Sequence, residues 1–500
     1  MRNLKKFWSR LSGRVRRSPL NYGLVALVII MALIIAYLAG RSSGSPQASL
    51  PATTGAATSG VTTRPVTGAA VSSNRATTTA AAVTTTAVST TSQAQTTQAQ
   101  VQTTSAPPPT VTPNVPTPTT GDTASLKGQV SGLLYQLWQT YKNRYVQQDG
   151  RVRDPQRADA STSEGESYAL LRALWQEDRG TFDSVLNWSL NNLQKPRGDK
   201  LFAYLWGRTS DNNWKVIDRN AATDADQDIA FALLLASRKW GDPRYQTLAQ
   251  EIIGDIWNKT VVTVKGRPYL TAGDWAPALA HPVLNPSYFS PYEYRLFALI
   301  DPDKRHDWLA LVDTSYEVIK GCTQNGLDAS SGKLPPNWCA IDKQSGNLVS
   351  ALDTDKSFDS DFGYDAFRTI WRVTLDYRWN GDKRALDYLQ SLGVLRDYWK
   401  DQQKLAVIYD HTGKPKDNGE DLGIYAVNGV TLFQTLDPTL ADQVVATKLL
   451  PRLQDTGRDD PDPAHIDASK ARTYYAQNWT WFGLALYSGV LPSYSAAQFK

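Results

Sequence analysis

The chain has 500 residues, of which 41% are hydrophobic and only two are cysteine. That is enough apolar material for a large buried core and too little cysteine for a disulfide-framed miniprotein. Its net charge is +5, but residues 1–20 contribute +7 and residues 21–125 a further +2, which leaves about −4 on the remainder. The basic balance belongs to the N-terminal quarter, so no electrostatic footprint for nucleic acid exists on the rest.

Residues 1–22 carry Arg2, Lys5, Lys6, Arg10, Arg14, Arg16 and Arg17 with no acid, and Gly23–Gly40 is an uninterrupted apolar run. Eighteen helical residues span roughly 27 Å, close to the hydrocarbon core of a bilayer. The expectation is a signal anchor: a cytoplasmic basic segment (1–22), a transmembrane helix (23–40), and everything beyond residue 40 outside the cell. The competing reading is a cleaved signal peptide with a secreted product. Residues 41–125 are Thr, Ala, Ser, Pro, Gln, Val and Gly with almost no charge. Such a stretch buries too little surface to offset its ordering entropy, so it reads as a disordered stalk. Residues 126–500 are expected to form one domain.

From 126 onward, apolar residues recur at spacings of three and four in twelve segments: 126–146, 163–177, 181–194, 224–240, 243–258, 286–299, 303–321, 360–378, 382–400, 418–434, 437–451 and 473–488. Thr260–Gly273 alternates around Lys265-Gly266 and reads as a β-hairpin. Trp240-Gly241-Asp242-Pro243, Trp379-Asn380-Gly381-Asp382 and Asp301-Pro302-Asp303 repeat one punctuation, in which Gly or Pro ends a helix and Asp caps the next. Twelve helices joined in pairs, without a fixed period, predict a closed toroid of helical hairpins. Cys322 and Cys339, seventeen positions apart, are expected to pair in an exported domain.

Three carboxylate clusters carry the chemistry. Asp224, Asp226 and Asp228 open an apolar helix. They are not a calcium loop, because the sixth and twelfth positions are Ile229 and Leu235 rather than Gly and Glu. Capping and the helix dipole account for one or two acids there, not three. In Ser163-Glu164-Gly165-Glu166-Ser167-Tyr168, Ser163 and Glu166 fit a capping box, while Glu164 is followed by a Gly that admits close approach of another chain or a ligand. In Asp361-Phe362-Gly363-Tyr364-Asp365-Ala366-Phe367-Arg368, Asp365 and Arg368 are three apart on one helical face. They form either a local ion pair or a base kept ionised by its arginine. The four histidines are scattered, and no zinc spacing, P-loop, dinucleotide fingerprint or nucleophile elbow occurs. No metal or cofactor is called for. Of the sixteen Trp all but Trp8 lie beyond the stalk, and Trp206, Trp214, Trp275 and Trp338 fall among polar residues and Gly, where indole faces can hold sugar rings. Paired carboxylates in an aromatic-rich helical domain point to glycoside hydrolysis.

These residues resemble glycoside hydrolase family 8. Ala222–Trp240 is similar to the family's helix signature, Ser163–Tyr168 to its acid motif and Tyr364–Arg368 to its base motif, in the family's order. Leu205-Trp206-Gly207 and Asn285-Pro286-Ser287-Tyr288 look most like the endoglucanases that accompany bacterial cellulose synthesis. The resemblance implies an all-α (α/α)6 barrel and an inverting endo-β-1,4-glycanase acting on a β-1,4-linked polysaccharide. Glu164 would be the proton donor, Asp365 the general base held ionised by Arg368, and Asp224 the residue that binds and distorts the sugar at the cleavage point. Trp206, Tyr364, Arg368, Tyr168 and Trp275 would contact substrate, with Asp226 and Asp228 in supporting or capping positions. Cellulose is the expected glycan, with the cellulose synthesis machinery as a partner at the outer surface. Chitosan, xylan and mixed-linkage glucan share the backbone geometry, and a non-catalytic carbohydrate-binding protein is the rival of another class.

Overall fold

A computed structural model describes residues 120–417, 419–454 and 473–499. The basic segment, the apolar run 23–40 and the stalk as far as residue 119 lie outside the described residues. Among the described residues no helix is long and apolar enough to cross a membrane.

Each of the twelve periodic segments contains helix. In chain order these are α1 (Thr120–Tyr145), α2 (Ser163–Trp175), α3 (Arg179–Ser189), α4 (Thr223–Trp240), α5 (Pro243–Thr260), α6 (Pro291–Ile300), α7 (Trp308–Gln324), α8 (Arg368–Asn380), α9 (Lys383–Ser391), α10 (Gly393–Gln402), α11 (Leu422–Ile424), α12 (Leu432–Leu436), α13 (Pro438–Val444), α14 (Leu450–Gln454) and α15 (Tyr474–Ser488). Wider π turns at Tyr425–Thr431 and Val445–Leu449 join α11 to α12 and α13 to α14. α1 begins five residues before the expected end of the stalk.

Two kinds of helix alternate. α2 is buried at every residue except Glu164, and α4 is buried from Thr223 through Ala236. A helix apolar all round must be enclosed by others. α5, α7 and α9 bury one stripe and leave the other face to solvent. The enclosed helices succeed one another around a shared core. α4 meets α6 through Phe231 and Tyr292, with ring centroids 5.4 Å apart. α6 meets α8 through Arg295 and Asp376 at 2.9 Å. α8 meets α15 through Trp371 and Trp479 at 5.7 Å, and α15 meets α2 through Trp481 stacked on Trp175 at 6.1 Å. The Tyr425–Thr431 turn lies so close to α15 that any Cβ on Gly483 would collide with Ala426. This helix-rich arrangement is consistent with an (α/α)6 barrel.

The repeated punctuation does its predicted work twice. Gly241 and Gly381 adopt left-handed φ values of 66° and 68°, and Asp242 and Asp382 accept from the amides of Arg244 and Arg384. At the third place Asp303 turns the loop instead, and Asp307 caps α7.

The predicted hairpin forms as β4 (Val261–Val264) and β5 (Arg267–Leu270), with Lys265 and Gly266 both at positive φ in a two-residue turn. Further short strands occur beyond the hairpin that the sequence predicts. β1 (Ser161–Thr162), β2 (Leu205–Arg208) and β3 (Trp214–Asp218) form one antiparallel sheet. β6 (Val283–Leu284), β7 (Cys339–Ile341) and β8 (Leu348–Val349) form another, and β9 (Ile408–Tyr409) pairs with β10 (Pro415–Asp417). They are too short for an alternating pattern to stand out. A disulfide between Cys322 and Cys339 ties α7 to β7. Closing a loop of that size removes about 3 kcal/mol of chain entropy from the unfolded state.

Candidate active site

A cleft of about 890 Å³ lies where the N-terminal ends of α2, α4 and α8 converge. Glu164, Asp224 and Asp365 all line it.

Glu164 is the second residue of α2, reached directly from β1. The helix starts one residue earlier than the capping-box reading required. Thr162 is the N-cap and accepts from the Gly165 amide, while Glu166 turns away and accepts from the amide of Val152 at 3.0 Å. Glu166 is fully buried, and burial pushes its carboxyl well above the usual range. Gly165 is needed because a Cβ there would run into the Tyr474 hydroxyl, so the close approach legible in the sequence is made by the protein itself. The Tyr168 hydroxyl, one turn on, donates to Glu164 Oε1 at 2.8 Å. Tyr168 is otherwise buried and acts on the carboxyl rather than on the cleft.

Asp224 is the second residue of α4, and no side chain caps that helix, which corrects the capping reading of the aspartate run. Each acid has its own partner. Asp224 Oδ2 accepts from Arg368 Nη1 at 2.8 Å, Asp226 accepts from the Phe202 amide at 2.8 Å, and Asp228 takes two 2.8 Å bonds from Arg372. Asp224 Oδ1 has no partner in the protein, although it is buried and its residue faces the cleft. An orphaned carboxylate oxygen at the floor of a pocket is suited to a ligand hydroxyl.

Asp365 lies in the turn before α8, which starts only at Arg368, so the two are not on one helical face. Asn337 holds that turn by accepting from the amides of Gly363 and Ala366 at 3.2 and 3.1 Å. Arg368 reaches further than a local ion pair. Its Nη2 bonds Asp365 at 2.6 Å, its Nη1 bonds Asp224, and Nη1 also contacts Glu164. One guanidinium, 1% exposed, therefore gathers all three motif carboxylates.

That crowding sets the protonation. Asp224 is pushed up to about 7, chiefly by burial, with Arg368 opposing and the Glu164 charge adding. Asp365 keeps 35% of its side chain open to the cleft but is enclosed elsewhere, and burial lifts its carboxyl above the ordinary value despite Arg368. This corrects the expectation that Arg368 would hold it low. Desolvation costs a carboxylate more than a guanidinium returns when three acids share that one cation.

The sequence profile of glycosyl hydrolases family 8 matches residues 124–446. The chain belongs to this family. Among its relatives, the endoglucanase of Pseudomonas fluorescens (strain SBW25) is 31% identical over 357 residues, covering 64% of this chain and 83% of the relative. The endoglucanase of Escherichia coli (strain K12) is 33% identical over 246 residues, covering 47% of this chain and 61% of the relative. The chain thus spans about three fifths of that second relative. The solved endo-1,4-D-glucanase from Vibrio fischeri ES114 superposes with a TM-score of 0.59 at 26% identity, over 71% of this chain and 94% of that one. The fold is shared with the endo-β-1,4-glucanase CMCax from Acetobacter xylinum, with a TM-score of 0.52 over 71% of this chain and 98% of that one, at 22% identity. As a family 8 member the protein is a glycoside hydrolase that cleaves O-glycosyl bonds with inversion.

The remaining candidates divide. Trp275 and Tyr364 line the cleft, with Trp338 and Phe358 extending the aromatic wall. Trp275 stacks on Phe358 at 5.7 Å. Trp206 does not line the cleft. It stacks on Trp214 at 5.0 Å in a separate shallow pocket. The β2–β3 pairing slips between Leu205 and Trp206, so β3 spends one extra residue, Ile217, as a bulge. A bulge switches the facing of the residues beyond it. Asp218 lines the cleft, while Trp214 stays with Trp206 outside it. Tyr204, Tyr288 and Tyr475 also line the cleft. Tyr288 was within reach, since it closes the Asn285–Tyr288 stretch, and Asn285 Nδ2 itself lies 3.4 Å from Asp365. No local pattern marks Tyr204 or Tyr475.

Proposed function

We propose that this chain is an inverting endo-β-1,4-glucanase with Glu164 as proton donor and Asp365 as general base. The observation that carries the reading is the meeting of Glu164, Asp224 and Asp365 on Arg368 at the floor of an aromatic-walled cleft. The β-glucan assignment draws on the relatives named above as endoglucanases. The enclosed helices are read as the inner ring of an (α/α)6 barrel, which brings the starts of α2, α4 and α8 to one rim.

Three acids around one cation cannot all be ionised cheaply, so the site retains a proton near neutral pH. In the reaction Glu164 gives a proton to the glycosidic oxygen as its bond to the sugar breaks. Asp365, ionised and partly open to the cleft, removes a proton from a water that attacks the opposite face of the sugar. The unpartnered Asp224 Oδ1 accepts a sugar hydroxyl and holds the ring in its distorted form. Arg368 keeps the three carboxylates in register. Trp275, Trp338 and Tyr364 supply faces against which pyranose rings lie.

We place the enzyme at the outer cell surface, tethered through residues 23–40 and spaced by the stalk from 41 onward, where nascent cellulose from the synthesis machinery would reach it. The apolar run and its basic flank support that placement. Protease treatment of intact cells should release the catalytic domain, and a domain that stays protected would refute it.

The decisive assay compares wild type with Glu164→Gln on soluble β-1,4-glucan. Losing the general acid should slow hydrolysis by roughly 10²–10⁴-fold. Proton NMR of the wild-type product should show the α-anomer first. Equal sugar release by both proteins, or a β-anomer first, would refute the assignment.

A further inference from the structure

Beneath the β1–β2–β3 sheet, away from the cleft, lies a shallow pocket of about 570 Å³. Its centre is the Trp206–Trp214 stack, with centroids 5.0 Å apart and ring planes 22° from parallel. Trp188 abuts Trp206 edge-on at 5.3 Å, and the Arg151 guanidinium lies 4.8 Å from the Trp214 ring. Trp206 is therefore fixed from several sides, whereas Trp214 is left 41% exposed. Packing the hairpin does not require so large an indole surface in water.

The rim of this pocket is amide-rich. Asn187, Asn191 and Asn192 border it from the α3 end. Asn191 and Asn192 use their Nδ2 groups on the main-chain oxygens of Asn187 and Trp188, which fixes both side chains and leaves each amide oxygen as an acceptor. Arg151 is likewise held, with Nε on Gln147 at 2.8 Å and Nη1 on the Asp159 carbonyl at 2.7 Å. An indole platform bordered by fixed amides suits a pyranose, which is apolar on its faces and carries hydroxyls around its edge.

We infer that this pocket is a second carbohydrate-binding site, outside the catalytic cleft, which takes a β-linked glucan chain. The glucan assignment rests on the reading of the cleft given above. The two places share a strand but face opposite ways across the bulge at Ile217, so a polymer particle can meet both through different chains or a chain that turns. β3 carries Trp214 at one end and the cleft residue Asp218 at the other, roughly 13 Å apart along the strand. A polymer can engage both sites together, whereas a short oligosaccharide saturates the cleft alone. The second contact adds avidity for polymer without altering chemistry.

The test uses the full chain and Trp214→Ala, with Trp214→Tyr as the conservative partner. Two quantities are read: adsorption to phosphoric-acid-swollen cellulose at low temperature, and kcat/KM on soluble cellopentaose. Trp214→Ala should adsorb about three- to tenfold more weakly, the range expected for losing one aromatic platform. Trp214→Tyr should retain most of the adsorption, and cellopentaose hydrolysis should be unchanged in both. Undiminished adsorption of Trp214→Ala would overturn the inference. So would an equal fall on cellulose and on cellopentaose, because the cluster would then act through the cleft. Should wild type hydrolyse no β-1,4-glucan, the reading of the cleft fails, and adsorption still decides this site on its own.

Discussion

Two arginines one turn apart on α8 are set among the same kinds of partner and have opposite consequences. Arg368 faces Asp224 and Arg372 faces Asp228, so α4 and α8 are joined by two parallel rungs. The deeper rung is shut off from the cleft. Asp228 uses both oxygens on Arg372, and Arg372 Nη1 also meets Ser290, the Tyr292 hydroxyl at 3.3 Å and Glu293 at 3.6 Å, all sealed from the cleft, although Arg372 Nε and both Glu293 oxygens have no hydrogen-bond partner among the described residues. Burial pushes the Glu293 carboxyl well above the ordinary range, which disfavours a second negative charge beside Arg372. The outer rung is over-subscribed and open, with one guanidinium among three carboxylates and an Asp224 oxygen left without a partner. A balanced buried pair holds helices together; an unbalanced one at a cleft retains a mobile proton. Four residues along a helix separate a structural site from a chemical one.

The largest test of that contrast is Arg372→Met. Removing one member of a buried pair strands the other, at a cost of about 3–5 kcal/mol. The urea midpoint of the catalytic domain should fall accordingly, while the protein that remains folded keeps its kcat. A variant of unchanged stability but lost activity would place Arg372 in the chemistry and dissolve the distinction between the rungs.

Asp224→Asn tests the outer rung. Losing the acceptor for the distorted sugar should lower kcat/KM by about a hundredfold, equivalent to about 2.7 kcal/mol. The alkaline limb of the pH–rate profile should also move down, since the site loses one of the charges that retain a proton in it. Stability should respond with a definite sign. The folded value of about 7 lies above the ordinary 3.8, so the contribution of Asp224 is fully present below the lower value and is lost as pH rises through the higher one. Asn has no such term, and the variant should lose less stability than wild type between pH 4 and 7. A steeper loss would mean that Asp224 is ionised in the folded enzyme.

The outer rung is largely legible in the sequence. Glu164, Asp224 and Asp365 sit in short motifs whose residue types are dictated by local geometry, such as the Gly165 that must clear Tyr474. The inner rung is not. Asp228 looks like a surplus acid at a helix start, because its partners Arg372 and Glu293 lie 144 and 65 positions away and no local pattern marks them. Trp206 escapes placement for a related reason. Its side of the sheet follows from the β1–β2 register, where Leu205 pairs with the cleft residue Thr162 and Trp206 with Ser161, and strands of two and four residues carry too little alternation to reveal it. The cleft tyrosines Tyr204 and Tyr475 come from the approach to β2 and the start of α15, and only the closed fold brings them together. Helix type and order come from periodicity, which is local; facing comes from packing, which is not.

Glu166 offers the smallest and most discriminating test, because it fits a capping box in the sequence and is instead a fully buried acid bonded to the Val152 amide. Burial raises its folded value well above 4.5, so the folded protein holds this proton at pH values where the unfolded chain has already lost it. The stability it contributes is complete below 4.5 and drains away as pH climbs toward the folded value. Gln keeps an acceptor for Val152 and is neutral at every pH. Glu166→Gln should therefore match wild type closely in urea denaturation at about pH 4 and exceed it at about pH 8. If the variant is instead weaker at the higher pH, Glu166 is ionised and paired with Arg151. The interior behind α2 would then resemble the balanced rung at Arg372 rather than a neutral wall behind the catalytic acid.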